Sequence, residues 1–400
     1  VVAWLAGLTL VPALLATFGR RIPVRRALAP EQGFFSRLAG AVARRPWPVV
    51  LGLAALLLAA GAPLLSIRLQ NGQANVLPQS LPSAQVQRTI EQRFPGAGTG
   101  PVTVVAEASP PELDAYLAGL RAIVPAGDVL EVGRAEALGS RSRVDITPAG
   151  STQGDVAQRL VHTLRAHRPP FRSYVAGGAA VLVDFKADVL RKLPYAFGLA
   201  ALASLVLLFL MTGSVLVPIK ALAMNTVSLG ATFGALVWVF QDGHLSGPLG
   251  FSPPGAVETW VPVLVFAFAF GLSMDYEVFL ISRIKELYDA GHRNDAAVRL
   301  GLQRSGRIIT SAALLVVIVF AGFAAGRLVG IKELGLALAI AIVVDATLVR
   351  CLLVPATMTL LGDLNWWAPG PLRRLHERLR LRESAGQPAP AAAQAAAPAP

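Results

Sequence analysis

A polytopic α-helical membrane protein with one α/β domain set between its helices is the fold class this sequence predicts, on three observations. Hydrophobic residues make up 54% of the 400 and charged residues only 15%, against roughly 25% charged in soluble domains. Seven apolar segments run along the chain, at 1–18, 47–66, 194–212, 218–240, 259–281, 308–326 and 333–361, most of them near the ~20 residues a helix needs to cross a hydrocarbon core of ~30 Å. Between the second and third lies a mixed stretch, 67–193, in which strand-like and helix-like runs alternate.

The first segment, Val1–Phe18, has neither a methionine nor a charged region before it. It reads as the end of a helix whose beginning lies outside this sequence, not as a signal peptide. The loop 19–46 that follows carries Arg20, Arg21, Arg25, Arg26, Arg37, Arg44 and Arg45. A second basic loop, 282–307, carries Arg283, Lys285, Arg293, Arg299, Arg304 and Arg307, whereas 241–258 contains no lysine or arginine. Loops rich in Lys and Arg stay cytoplasmic, so alternating seven helices from that start puts 67–193 outside and the C-terminus inside. The arginines at 373, 374, 378, 380 and 382 then fall on the cytoplasmic face as well. The net charge of +12 is explained by this asymmetry. With no basic patch interleaved with aromatics, nucleic acid is not an expected partner.

In the outer segment Pro101–Glu107 reads as a strand and Pro111–Ala122 as an amphipathic helix. Two further strands follow at Val129–Val132 and Arg143–Thr147, then a helix over Ser151–Ala166 opened by a serine cap, then a last strand at Phe171–Ala176. The order βαββαβ is that of a split-βαβ, ferredoxin-like unit, with both helices on one face of a four-stranded sheet. Gly177-Gly178 reads as the turn that leads back to the membrane. A five-helix bundle is expected over 194–361 and a cytoplasmic tail over 362–400, disordered from about 384, where an Ala/Pro/Gln tract begins. The single cysteine, Cys351, permits no intrachain disulfide, and no cysteine or histidine grouping suggests a metal. No GxxxxGK[ST] loop is present, so neither ATP nor another cofactor is expected, nor is an enzyme.

The chemistry concentrates in Phe270-Gly271-Leu272-Ser273-Met274-Asp275-Tyr276-Glu277-Val278-Phe279-Leu280. An unpaired acid in a spanning helix costs roughly 2.5–3.5 kcal/mol or more and is a functional candidate by default. With the helix entering near Trp260, a rise of ~1.5 Å per residue sets Asp275 about 22 Å down, where it must be neutral or paired. Asp275 shares its face with Gly271 and Phe279, and Gly271 would admit a neighbouring helix closely. Tyr276 points about 100° away. Glu277 is expected further round, nearer the cytoplasmic water, as a possible exit for protons. Asp345 is the second acid within an apolar segment. Arg350, five residues on, is turned ~140° from it in an α-helix, so Asp345 is expected to bond to another helix and to be chiefly structural.

Taken together, FGLSMDYEVFLISRIKE at 270–286, GRIITSAAL at 306–314, DATLVRCLLVPA at 345–356 and Asn365-Trp366-Trp367-Ala368-Pro369 resemble the C-terminal half of an MMPL-family transporter of the RND superfamily. The resemblance spans about nine-tenths of the chain. It implies a duplicated unit of one helix, an outer porter domain and five more helices, of which this chain would hold the end of the sixth helix and helices seven to twelve. It also implies that Asp275 carries protons with Tyr276 in support, opposite a matching Asp-Tyr pair on a fourth helix that belongs to the missing N-terminal half. The expected function is proton-motive-force-driven export of lipids or other hydrophobic molecules from a bacterial cell membrane, with membrane lipids, protons and that half as partners. A multidrug efflux pump of the same superfamily and a non-transporting lipid or sterol sensor are the alternatives, the latter disfavoured because a sensor needs no titrating acid in the bilayer.

Overall fold

The computed structural model describes residues 9–10, 12–14, 16–18, 33–71, 82–93, 100–120, 123–125 and 127–379. The tail expected to be disordered from 384, most of the segment 1–18 read as a helix end and the first half of the loop 19–46 lie outside these residues. Among them, six helical runs are long and apolar enough to cross a membrane, and they correspond to the second through seventh apolar segments.

An amphipathic helix α1 (Phe34–Arg44) buries Ser36, Ala39 and Val42. The first span, α2 (Pro46–Gly61), continues through a 3₁₀ turn to Ser66 and leads into a short strand β1 (Leu69–Gln70). After α3 (Pro82–Arg93) comes the α/β unit: β2 (Val102–Ala106), α4 (Pro110–Leu120), β3 (Val129–Val132), β4 (Glu136–Leu138), β5 (Arg141–Pro148), α5 (Asp155–Ala166) and β6 (Ser173–Ala176). Its sheet order is β3-β5-β2-β6 with antiparallel neighbours, and β4 folds back on β5. That is the strand order of a split βαβ unit, with β4 as an additional hairpin arm. Alternation explains the core. Val102, Val104 and Ala106 of β2 oppose Ile146, Val144 and Ser142 of β5 in register, all inward, and α4 covers them with Leu113, Leu117 and Leu120 while α5 adds Ala157, Leu160, Val161 and Leu164.

Helix α4 starts with the acidic arm of a capping box. The Ser109 backbone N–H and hydroxyl both donate to the Glu112 carboxylate, at 2.8 and 2.7 Å, and these two bonds hold the Glu112 carboxyl below its ordinary range. Only the ionised form accepts both bonds, so this contribution is present above the usual carboxylate range and is lost as pH falls through the lowered value. Ser151 does not play the same part for α5. That helix opens at Asp155 with Gly154 in the cap position, because residues 151–154 turn on a Gly154 N–H to Ser151 carbonyl bond instead.

The bundle begins earlier than its hydropathy suggests. Helix α6 runs unbroken over Gly178–Thr212, through Pro194, and its first turns place Ala179, Ala180 and Val183 in the core of the α/β unit. The polar run 184–192 hides this stretch from an apolar-segment reading, since only the part beyond 193 is lipid-like. Gly177 makes the sharp entry, at φ 109°, with a Cβ there only 2.5 Å from the Pro101 carbonyl oxygen. The remaining spans are α7 (Leu216–Leu236, with π-helical Val237–Gln241), α9 (Trp260–Asp289), α10 (Asn294–Ala324) and α11 (Val329–Val344). The last of these passes through a π-helical segment, Asp345–Leu353, into α12 (Val354–Leu361). Between α7 and α9 lie the short α8 (Ser246–Leu249) and β7 (Val257–Glu258), which pairs in parallel with β1. Helix α13 (Gly370–Leu379) closes the described chain. Small residues set the closest crossing: a Cβ on Gly234 of α7 would overlap the Ala60 carbonyl of α2, so these two backbones touch directly.

Candidate functional site

The sequence-selected residues divide between two faces of α9. Ser273 and Glu277 are buried at 8% and 4% exposure, four residues apart on the inward face. Asp275 and Gly271 are exposed on the face away from the bundle, and Tyr276 is half-buried between the two. A Cβ on Gly271 would meet nothing within 4 Å. No helix among the described residues therefore occupies the close-approach surface that Gly271 offers, and Asp275 is displayed on it.

Inside the bundle, Glu277 does not reach toward water as its position along the helix suggested. It faces the fully buried Arg350, with Nη1 and Oε2 3.6 Å apart. Arg350 in turn donates from Nε to Asp345 Oδ2 at 2.7 Å and from Nη2 to the Ser273 carbonyl. The Ser273 hydroxyl completes the ring by donating to Asp345 Oδ1 at 2.8 Å. Arg350 also stands over the Tyr276 ring, 5.5 Å from its centroid.

The contact between Asp345 and Arg350 overturns the expectation that the two point apart. In an α-helix five residues span ~500°, but residues 345–353 are π-helical, and i→i+5 bonding brings residues five apart into line. The bonds show the register: the Val354 N–H donates to the Val349 carbonyl, and Cys351 Sγ donates to the Ala346 carbonyl at 3.1 Å. Asp345 does bond to another helix, as its burial required, through Ser273. It simply holds Arg350 as well.

Lys220 of α7 is the fourth charge, acting electrostatically on Glu277. Two acids and two bases thus balance, which is how a low-dielectric interior tolerates ions. Pairing is incomplete, however. Lys220 Nζ, Glu277 Oε1 and Arg350 Nη1 are buried without hydrogen-bond partners, as is Asn225 Nδ2 one turn further along α7. A cluster of polar atoms with spare bonding capacity is what a site that exchanges protons or water requires. Lys220 was not among the residues the sequence singled out. The signal for it was present, since a lone lysine within LVPIKALAMN is itself an ionisable group inside an apolar run.

A second feature lies nearer the α/β unit. An apolar cavity of about 480 Å³ opens between the end of α2, the middle of α6, the second half of α7 and the start of α9, walled by Leu64, Leu193, Phe197, Phe233, Pro262 and Phe266. Its wall is almost free of polar groups, which suits an acyl chain and no polar solute.

The family model described as MMPL family matches residues 139–392 of this chain. Over 99% of the chain it is 43% identical to a membrane protein of Streptomyces coelicolor, covering 56% of that protein. It is also similar, at 36% identity over 88% of the chain, to the trehalose monomycolate exporter MmpL3 of Mycobacterium tuberculosis, and at 35% over 92% to the mycolic acid-containing lipids exporter MmpL11 of Mycolicibacterium smegmatis. The chain spans 39% and 41% of the length of those two relatives.

Proposed function

Because this chain belongs to the MMPL family of membrane transporters, we propose that it forms one half of a lipid exporter driven by the proton-motive force. The observation that carries the reading is the pairing of faces on α9. Asp275 is displayed on a surface left open by the described residues, and two residues on, Glu277 enters a buried, charge-balanced but under-bonded cluster. An acid exposed in hydrocarbon is costly, so Asp275 requires a covering partner, and the complementary half of a longer transporter supplies one. Tyr276, with its ring against the Arg350 guanidinium, links the two faces.

In this mechanism Asp275 takes up a proton at the interface between halves. Neutralising it lets α9 settle differently against its partner, and the change passes through Tyr276 to Arg350. Arg350 then redistributes its bonds among Asp345, Ser273 and Glu277. The π-helical register of 345–353 is the element suited to two arrangements, since π segments are local departures from α-helix that recur at functional sites. One elementary charge crossing 100 mV is worth about 2.3 kcal/mol, enough to bias such a shift. Helix α6, continuous from the bundle into the core of the α/β unit, carries the motion outward to a porter domain on the extracytoplasmic side. The basic loops and the C-terminus lie in the cytoplasm of a bacterial cell by the same orientation.

Cargo enters through the apolar cavity. Its walls and volume suit the hydrophobic part of a lipid, and the named exporters among the relatives carry mycolic acid lipids or trehalose monomycolate. Filling the cavity tests this. Thr226 is exposed and borders it, so Thr226→Trp should leave the fold intact while lowering export of long-chain lipid by about tenfold or more, the equivalent of ~1.4 kcal/mol of lost binding. Unchanged lipid export by a folded Thr226→Trp transporter would remove this cavity from the cargo route.

A further inference from the structure

Helix α13 is amphipathic, but the bundle does not cover its apolar face. In GPLRRLHERL, Leu372 and Leu375 share one face at three-residue spacing, and they are 37% and 46% exposed. The other short amphipathic helix, α1, does the opposite and turns Ser36, Ala39 and Val42 inward. Around α13 a turn of ~100° per residue fixes the order of the side chains. Arg374 and Arg378, four apart, form the flank beyond Leu375, and His376 forms the flank beyond Leu372.

Contacts on the His376 flank set the helix at the rim of the membrane. The His376 ring meets the Phe209 ring edge to face, with centroids 5.9 Å apart, and lies over Gly213, where a Cβ would stand 2.9 Å from it. Thr212 is the last residue of α6, so Phe209 is ~4.5 Å inside the end of that span. Leu207 and Leu210 beside it are exposed, as on a lipid-facing surface. The approach to α13 is pinned as well, by the Val215 N–H donating to the Trp367 carbonyl at 3.2 Å. Trp367 is itself exposed, and tryptophan favours the membrane–water boundary. At that level, uncovered leucines on an amphipathic helix face the acyl boundary.

Charge selects the lipid. Arg373 pairs with Glu377, Nε and Oε1 3.5 Å apart. Arg374 and Arg378 are exposed and make no ion pair among the described residues, and like charges at four-residue spacing repel. A surface of anionic headgroups offsets that repulsion, whereas a zwitterionic one supplies no net charge to do so.

We propose that α13 docks on the bilayer surface at the end of α6, with Leu372 and Leu375 at the acyl boundary and Arg374 and Arg378 on the phosphates of anionic phospholipid. Naming that leaflet cytoplasmic rests on the orientation proposed above; the docking does not.

The 400-residue chain in nanodiscs tests this, with a spin label on Leu372→Cys in a Cys351→Ser background. Depth is read from collisions with lipid-soluble oxygen against a water-soluble nickel chelate. In discs of phosphatidylcholine and phosphatidylglycerol in equal parts the label should favour oxygen. In phosphatidylcholine alone, or in the mixed discs at high salt, access should shift toward the chelate. Arg374→Gln and Arg378→Gln should each lower the ratio of docked to free helix about fivefold in the mixed discs. Both side chains are exposed, so neither change disturbs the bundle. Equal depth in both lipids and in the arginine variants would overturn the anionic docking, as would chelate access in every disc. A label shielded from both quenchers would mean that protein covers this face, and would overturn it too. Asp275→Asn should not move the label, so failure of the transport reading and failure of this one are told apart.

Discussion

Asp275→Asn should abolish export while leaving the folded protein as stable as the wild type. The side chain is exposed on α9 and makes no packing contact that the amide could not keep. The amide has nearly the same shape, and removing a charge that hydrocarbon disfavours costs nothing in stability. What it cannot do is release a proton. In the transporter assembled from this chain and its complementary half, lipid export should therefore fall to background with an unchanged melting temperature. A fall in both together would make Asp275 a structural residue of the interface between halves.

Arg350 predicts the opposite separation. It is fully buried and holds Asp345, Ser273 and Glu277 at once. Arg350→Met leaves two buried acids facing each other with only Lys220 in compensation, and breaking such a pair from one side costs about 3–5 kcal/mol. Expression and thermal stability should drop accordingly. The double variant Arg350→Met with Asp345→Leu should recover part of the loss, because replacing a buried pair with apolar groups is often neutral. The recovered fraction measures the coupling between the two residues. Additive losses in the double variant would mean that Arg350 stabilises through packing rather than through the ion pair.

The residues also show where reasoning from sequence succeeds and where it fails. Helix positions in the lipid region were legible because hydropathy reports the solvent directly, and the order of elements between 101 and 176 was legible because strand alternation and helix periodicity differ. The first half of α6 was not, since residues 184–192 carry Asp184, Lys186, Asp188, Arg191 and Lys192 and a helix leaving the membrane loses the apolar signal while keeping its backbone. Glu277 was misplaced for a different reason. Depth along an axis says nothing about facing, and its four-residue spacing from Ser273 was the better guide. One turn geometry throughout would separate Asp345 from Arg350, and no pattern in DATLVRCLL announces that the bonding there shifts to i→i+5. Lys220 lies within a span rather than in a loop, so the loop-charge asymmetry that fixes orientation does not reveal it.

In the proposed mechanism, protons moving through this bundle drive lipid out. The most direct measurement is lipid flux in proteoliposomes that hold the transporter assembled from both halves, with a proton gradient imposed and then collapsed by a protonophore. Flux should begin with the gradient, scale with its size and stop on its collapse. Flux that continues undiminished after the gradient is gone would contradict the account.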